Sequence, residues 1–269
     1  QLSESNEGSA ADFLRELRNN RLLGKEAIGH NQYHNFIDLI LKSGTTHTRF
    51  IQELLQNADD CEYAEGVVPE FTLMQSHNKI ETAYNETGFT RGNIRSITAI
   101  GESTKKHLLR QNVAKIGEKG VGFKTIFAIA SKVTIHSGDY HFSLTDRTPT
   151  VPELIGGNNE HVAGTKMELI IKNNVQLTNY KEQDVLELCL CLRQLKRIRI
   201  NNTFVTIEDT DSARIITINK RQYTFNRFVH RFRVSDNALQ ERENGLRSIS
   251  ANQHIVIYVP EKGAAKEYP

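Results

Sequence analysis

Glu53, Asn57 and Asp60 stand at helical spacing in the segment Arg49-Phe-Ile-Gln-Glu-Leu-Leu-Gln-Asn-Ala-Asp-Asp60. At about 100° per residue, with Glu53 set to zero, Asn57 lies at about 40° and Asp60 at about −20°. Three oxygen-bearing side chains therefore share one stripe. Phe50, Leu54, Ala58 and Cys61 fall at roughly 60–140°, immediately beside it. A polar stripe against a buried face suits the floor of a pocket; it also describes an amphipathic helix with a wet edge. Asn and Asp oxygens are hard ligands for Mg²⁺, and a glutamate one turn earlier can polarise a water.

The glycines add a second signal. Of 17, six fall between Gly88 and Gly122 and none between Thr165 and Asn244. Ile116-Gly-Glu-Lys-Gly-Val-Gly-Phe-Lys-Thr-Ile-Phe127 sets Gly117, Gly120 and Gly122 ahead of an apolar helix. Glycine lets backbone N–H groups approach phosphate oxygens, and a helix N-terminus adds partial positive charge. Lys119 and Lys124 add full charges. The run is not the P-loop pattern and follows no strand, as a dinucleotide fingerprint would. A second segment joins Tyr84-Asn-Glu-Thr-Gly-Phe-Thr90 to Ile100-Gly-Glu-Ser-Thr-Lys105, where Ser103, Thr104 and Lys105 can grip phosphates. Either cluster alone reads equally well as a surface turn.

These segments must be positioned by the elements around them. Apolar spacing predicts helices over 11–23, 31–42 and 47–63, with Gly44 closing the second and Thr46 or Thr48 capping the third. Short helical patches are expected at 91–97 and 106–112, and a helix at 122–130. Strands are expected at 70–75, 79–84, 133–137, 141–144 and 165–171, with a Pro- and Gly-marked loop at 148–162. A helix over 180–195 precedes strands at 197–207, 214–218, 222–228 and 254–259. This division gives an N-terminal extension over 1–23, a nucleotide domain over 24–173, and a helix-plus-strands extension over 174–269. The extension reads either as part of the same domain or as a separate transducer.

Composition is that of a globular protein: 269 residues, 38% hydrophobic, 25% charged and net charge +2. Bulk attraction to nucleic acid is not indicated. Yet residues 193–233 hold ten Lys and Arg against three Asp and Glu. Solvated strand faces explain that excess, as does contact with phosphates of a nucleic acid or another chain. No apolar run approaches the roughly 18 residues of a membrane helix, and the polar start lacks a signal-peptide core. Cys61, Cys189 and Cys191 form neither a metal-ligand spacing nor a disulfide framework. An intracellular chain, cytoplasmic or nuclear, with reduced thiols is the expectation, and the C-terminal apolar strand suggests a piece of something longer. The scattered histidines, His30, His34 and His47 among them, read as packing or surface residues.

In their order, the motifs resemble the GHKL ATPases: gyrase B, MutL, histidine kinases and the ninety-kilodalton heat-shock chaperone. ExxxNxxDA matches Glu53, Asn57 and Asp60, with Cys61 in place of its small residue; GxxGxGF matches Gly117, Gly120, Gly122 and Phe123; a later Gly-Thr-Lys matches Gly164, Thr165 and Lys166. The sacsin and NO VEIN branch is closer still. That rests on Glu-Leu-Leu-Gln-Asn-Ala-Asp-Asp (53–60), Asn-Glu-Thr-Gly-Phe (85–89), Gly-Glu-Ser-Thr-Lys (101–105) and Gly-Glu-Lys-Gly-Val-Gly-Phe-Lys (117–124).

The resemblance implies an α+β fold, a Bergerat-type sandwich. A mixed, mostly antiparallel sheet is covered by helices on one face, here with a C-terminal α/β extension. It implies ATP and Mg²⁺ as cofactors. Asn57 would ligate Mg²⁺ and Glu53 would be the general base. Gly117, Lys119, Gly120, Val121, Gly122, Phe123 and Lys124 would hold phosphates. A lid over 90–116 would present Ser103, Thr104 and Lys105, and Thr165 would contact adenine. Asp60 would reach adenine-side water or hold the helix. The family's adenine-binding Asp lies four residues before a glycine. Counting back from Gly88 reaches Tyr84, and a one-residue slip reaches Asn85, whose carbonyl can accept the adenine amino proton. The implied function is a slowly hydrolysing conformational switch of a larger chaperone-like protein, with a nucleotide-dependent homodimer and an unknown protein client as partners. The alternative is a non-hydrolytic nucleotide sensor or interaction scaffold on the same fold.

Overall fold

The computed structural model describes residues 8–28, 49–99, 122–157, 160–173, 175, 181–233 and 252–261. Its centre is a mixed sheet of 11 strands in the order β11-β10-β9-β8-β7-β1-β2-β6-β3-β4-β5. The strands are β1 Glu70–Gln75, β2 Lys79–Tyr84, β3 Ala130–Gly138, β4 Tyr140–Thr145, β5 Glu153–Leu154 and β6 Val162–Ile171. They continue as β7 Arg197–Ile200, β8 Thr203–Asp209, β9 Ala213–Ile218, β10 Arg221–Arg233 and β11 Asn252–Pro260. β1 and β7 run parallel. The other strand pairs are antiparallel. The fold is thus α+β, as expected. The sheet crosses the 173/174 boundary without a break, because β7 pairs with β1.

Period-2 alternation explains the layering. Phe71 and Leu73 on β1 lie opposite Tyr84 and Thr82 on β2, and these opposite Thr165 and Met167 on β6. All are buried, as are Ile198, Val205, Ile207, Ile216 and Ile218 farther along. The intervening residues, Met74, Glu81, Lys166 and Phe204 among them, are exposed. One face therefore supplies the core. Into the same apolar cluster go Phe13, Leu14 and Leu17 of α1 (Ala10–Ile28) and Phe50, Ile51, Leu54, Leu55 and Ala58 of α2 (Arg49–Asp59). Ile94 of α3 (Arg91–Thr98) and Val185, Leu186 and Cys189 of α4 (Glu182–Leu190) complete the helical share.

Among the departures from the sequence reading, four have a cause visible in the structure. Residues 197–207 are two strands, because Asn201 takes a left-handed φ of 53° and turns the chain. Its Oδ1 then accepts from the Gln75 amide at 2.7 Å. The helix at 180–195 is confined to α4, with Tyr180 outside the described residues. Arg214, only 3% exposed, takes the carbonyls of Cys189, Leu190 and Leu192, so the apolar spacing to Leu195 is not helical. Residues 122–128 form a 3₁₀ stretch rather than an α-helix, with the Ile129 amide on the Ile126 carbonyl at 3.1 Å. The α2 helix stops at Asp59, and the Tyr63 hydroxyl takes the Ala58 carbonyl at 2.9 Å. The expected helices at 31–42 and 106–112 lie outside the described residues. No helix among those described is long and apolar enough to cross a membrane.

Candidate functional site

The chain leaves β2 at Tyr84 and enters α3 at its N-cap, Thr90, whose side chain accepts from the Asn93 amide while Asn93 accepts from the Thr90 amide. Between them lies a loop of Asn85, Glu86, Thr87, Gly88 and Phe89. Gly88 sits at φ +92°, a conformation that favours glycine. Its amide donates to Glu86 Oε2. The other carboxylate oxygen accepts from the Thr165 hydroxyl at 2.5 Å. Thr165 is centred between Tyr84 on β2 and Ser137 on β3. Its own proton goes to Glu86, so Ser137 donates to Thr165 Oγ1 at 2.6 Å and accepts from the Phe89 amide at 2.7 Å. A directed chain therefore runs from Phe89 through Ser137 and Thr165 to Glu86. Gly164 makes the approach possible: at φ +73°, a Cβ there would collide with the Tyr84 carbonyl oxygen.

Glu86 is 5% exposed, and burial pushes its carboxyl above the usual range against the pull of its two hydrogen bonds. Burial and then the neighbouring thiol of Cys61 raise the phenols of Tyr63 and Tyr84, with Glu86 adding to both. Glu86, Cys61, Tyr63 and Tyr84 thus share one neighbourhood, where α2 ends. Thr87 locks that junction, its amide and hydroxyl both donating to the Glu62 carbonyl at 2.9 and 3.1 Å. Each Glu86 oxygen accepts one hydrogen bond and keeps a further lone pair. A buried carboxylate so arranged can accept hydrogen bonds from an amino group.

Glu53 is half-buried and Asn57 exposed, while Phe50, Leu54 and Ala58 are buried beside them. Asp60 forms an ion pair with Arg193. Its neighbour Asp59, 3% exposed, accepts the amides of Arg193, Gln194 and Leu195 at 2.7–3.0 Å. Asp59 thus fixes the chain between α4 and β7 to the end of α2. Gly122 opens the 3₁₀ stretch and Phe123 packs against the core. Lys124 is 1% exposed and donates to the Ile97 carbonyl at 3.0 Å, near the end of α3. Burial, then Arg21, lowers its pKa to about 8. Ser103, Thr104, Lys105, Gly117, Lys119, Gly120 and Val121 lie outside the described residues.

Asn85 has a different task from the one expected. Its Oδ1 accepts from the Glu70 amide at 2.7 Å and its Nδ2 donates to the Val68 carbonyl at 2.9 Å, so both ends are occupied by the β1 approach. The carboxylate beside Thr165 is Glu86. Its signal was in the sequence: an acid two residues before Gly88, rather than four. Asp59 was legible too, since the wheel puts it at about 240°, next to the buried Leu55. A cleft of about 360 Å³ between α2 and α4, lined by Gln52, Gln56, Glu187 and Cys191, shares no residue with the Glu86 constellation.

Together these features define a mixed-sheet α+β domain with a buried acid-hydroxyl array where β2, β3 and β6 meet the end of α2. The chain belongs to the sacsin domain family, which it matches over residues 30–207. It is 42% identical over 95 residues to Protein NO VEIN of Arabidopsis thaliana. That alignment covers 35% of this chain and 3% of the relative, so the chain spans a small fraction of that protein's length.

Proposed function

We propose that this domain binds Mg-ATP in a Bergerat-type site and hydrolyses it slowly, as the nucleotide-driven switch of a larger protein. In this reading the helices cover the apolar face of the sheet, and the nucleotide lies between them. The observation that carries it is the buried Glu86 carboxylate held by Thr165 and Gly88. Glu86 would accept the adenine amino protons, and the Thr165–Ser137 hydroxyls would hold the ring edge or its water. Asn57 would supply one oxygen to a Mg²⁺ that keeps most of its waters. Bound Mg²⁺ would neutralise phosphate charge. Glu53, half-buried on the same stripe, would orient the attacking water as general base. Gly122 and Phe123 would contribute amides beside the phosphates, with Gly117, Lys119, Gly120 and Val121.

A non-hydrolytic nucleotide sensor on the same fold is the alternative, and turnover separates the two readings. Steady-state phosphate release from the wild type and Glu53→Ala tests the assignment. Glu53→Ala is expected to lower turnover about 100-fold or more while keeping ATP affinity. Equal rates would remove Glu53 as the base. The coupled client and the homodimer belong to the same proposal and rest on the resemblance.

A further inference from the structure

The β3–β4 hairpin holds a pair of titratable rings that the nucleotide reading does not use. Gly138, at φ +57°, turns the chain, so that His136 and His141 stand directly opposite each other. Their Nδ1 atoms are 2.8 Å apart and their ring centroids 5.1 Å apart. One Nδ1 donates and the other accepts, so the accepting ring is neutral. His141 is 6% exposed. Among the described residues its Nε2 is buried without a hydrogen-bond partner. An imidazolium donates from both nitrogens. Protonated where it stands, His141 would hold a buried N–H with no acceptor, which is costly. Little negative charge is free to offset it. Lys166 on β6 lies opposite His136 in the same row. Asp139, in the turn, is engaged by His161 at 2.8 Å. Glu168 on β6 and Glu153 on β5 belong to the next row, opposite Thr134 and Ser143, and Glu168 already binds Lys79 at 3.1 Å. On the core side α1 presents Phe13, edge-on to Tyr140. Burial, then His136, holds the His141 ring below the usual imidazole range; Asp139 opposes them and His161 adds to them.

Beside the pair lies a short element. β5 has two residues, Glu153 and Leu154, set against Ser143 and Phe142 at the end of the sheet. The Ile155 amide continues that pairing by donating to the His141 carbonyl at 3.2 Å. Residue 141 therefore carries both the buried ring and the acceptor that holds the chain after β5. We propose that His141 is a proton-operated latch on this edge of the sheet. Neutral, it packs beside His136 and keeps residues 153–155 in place. Protonated, its ring leaves the buried position for water, and the edge detaches with it. The edge is the two-state element, and the proton is the ligand that selects the open form. The latch operates whether or not the domain binds nucleotide.

The test is amide hydrogen exchange of the full chain, read beside the His141 ring titration by NMR. The range runs from about pH 7.5 to about pH 5.5, either side of the ordinary imidazole value of 6.5. Corrected for intrinsic exchange, protection of the Ile155 amide is expected to fall on the order of tenfold across it, with the midpoint of the ring titration. Amides of β2 and β6 should keep their protection. His141→Phe retains a ring but takes no proton, and should hold Ile155 protection flat over the range. His161→Gln changes an exposed residue and should leave the wild-type response in place. Unchanged protection in the wild type would overturn the proposal, as would a midpoint apart from that of the His141 ring. The same loss in His141→Phe would overturn it too. So would abolition of the response by His161→Gln, which assigns the opening to the His161–Asp139 pair.

Discussion

The Thr165 hydroxyl, on β6, donates to Glu86 Oε1 across 2.5 Å, from the sheet interior to the loop that leaves β2. The pair joins two segments 79 residues apart. It gives a buried carboxylate a fixed orientation, because the Gly88 amide holds its other oxygen. Everything proposed for the nucleotide's base depends on that carboxylate and on its neighbour Asn85 being otherwise engaged.

The two residues therefore separate on mutation. Glu86→Gln is expected to weaken ATP binding roughly 10- to 100-fold, the cost of a charged acceptor facing an amino group. Asn85→Ala should leave ATP affinity near the wild-type value and cost about 1 kcal/mol of stability, from the lost links to Glu70 and Val68. Calorimetric titration with denaturation curves checks both.

Glu86 also predicts a pH effect on folding. Its folded-state pKa is raised by burial, so the folded chain binds this proton more readily than the unfolded chain does. Between the two pKa values, stability then falls as pH rises. Relative to Glu86→Gln, the wild type should gain stability as pH is lowered through that window toward the ordinary value of 4.5. A stability difference that is flat with pH would show no such burial penalty.

Asp59 and Asp60, adjacent in sequence, should differ sharply. Asp59→Ala strands the amides of residues 193–195, that of Leu195 buried, and is expected to cost about 3 kcal/mol. Asp60→Ala removes an ion pair with a half-exposed Arg193 and should cost under about 1 kcal/mol. Urea unfolding of the two variants makes the comparison.

Lys124 carries the opposite sign. Its folded pKa is lowered to about 8 from 10.5, so the unfolded chain binds the proton more tightly between those values. Stability should rise with pH across that range relative to Lys124→Met, which has no such proton. Parallel melting curves from pH 8 to pH 10.5 test it.

Strands with clean alternation were legible at once: 70–75 and 79–84 match β1 and β2. What escaped was set by contacts distant in sequence. Nothing local to Leu190 says that Arg214 will take its carbonyl, so apolar spacing overextended α4. The strand break at Asn201 was readable from its Asn-Asn pair but hidden in a run of β-branched residues. Glu53 and Asn57 are singled out by type and spacing and Thr165 by the resemblance; their place in a nucleotide site is the proposal. Glu86 was present in the motif but displaced by counting from the wrong glycine. Burial and the bonds to Thr165 and Gly88 distinguish it from Asn85, which binds Glu70 and Val68. The excess charge over 193–233 also resolves by distance: Arg193 pairs with Asp60, Arg197 with Glu70, and Lys196 and Arg214 with Asp209.

The central claim is a nucleotide site built around Glu86. Titration calorimetry of the wild type and Glu86→Gln with Mg-ATP, at equal concentration and pH, tests it most directly. The account predicts saturable one-site binding by the wild type. It also predicts a rise in melting temperature at saturation, since ligand at about 100 times Kd adds about 2.7 kcal/mol to stability. Both should be lost or strongly weakened in Glu86→Gln. Absence of heat and of any melting shift with millimolar Mg-ATP, or identical isotherms for the two proteins, would contradict it.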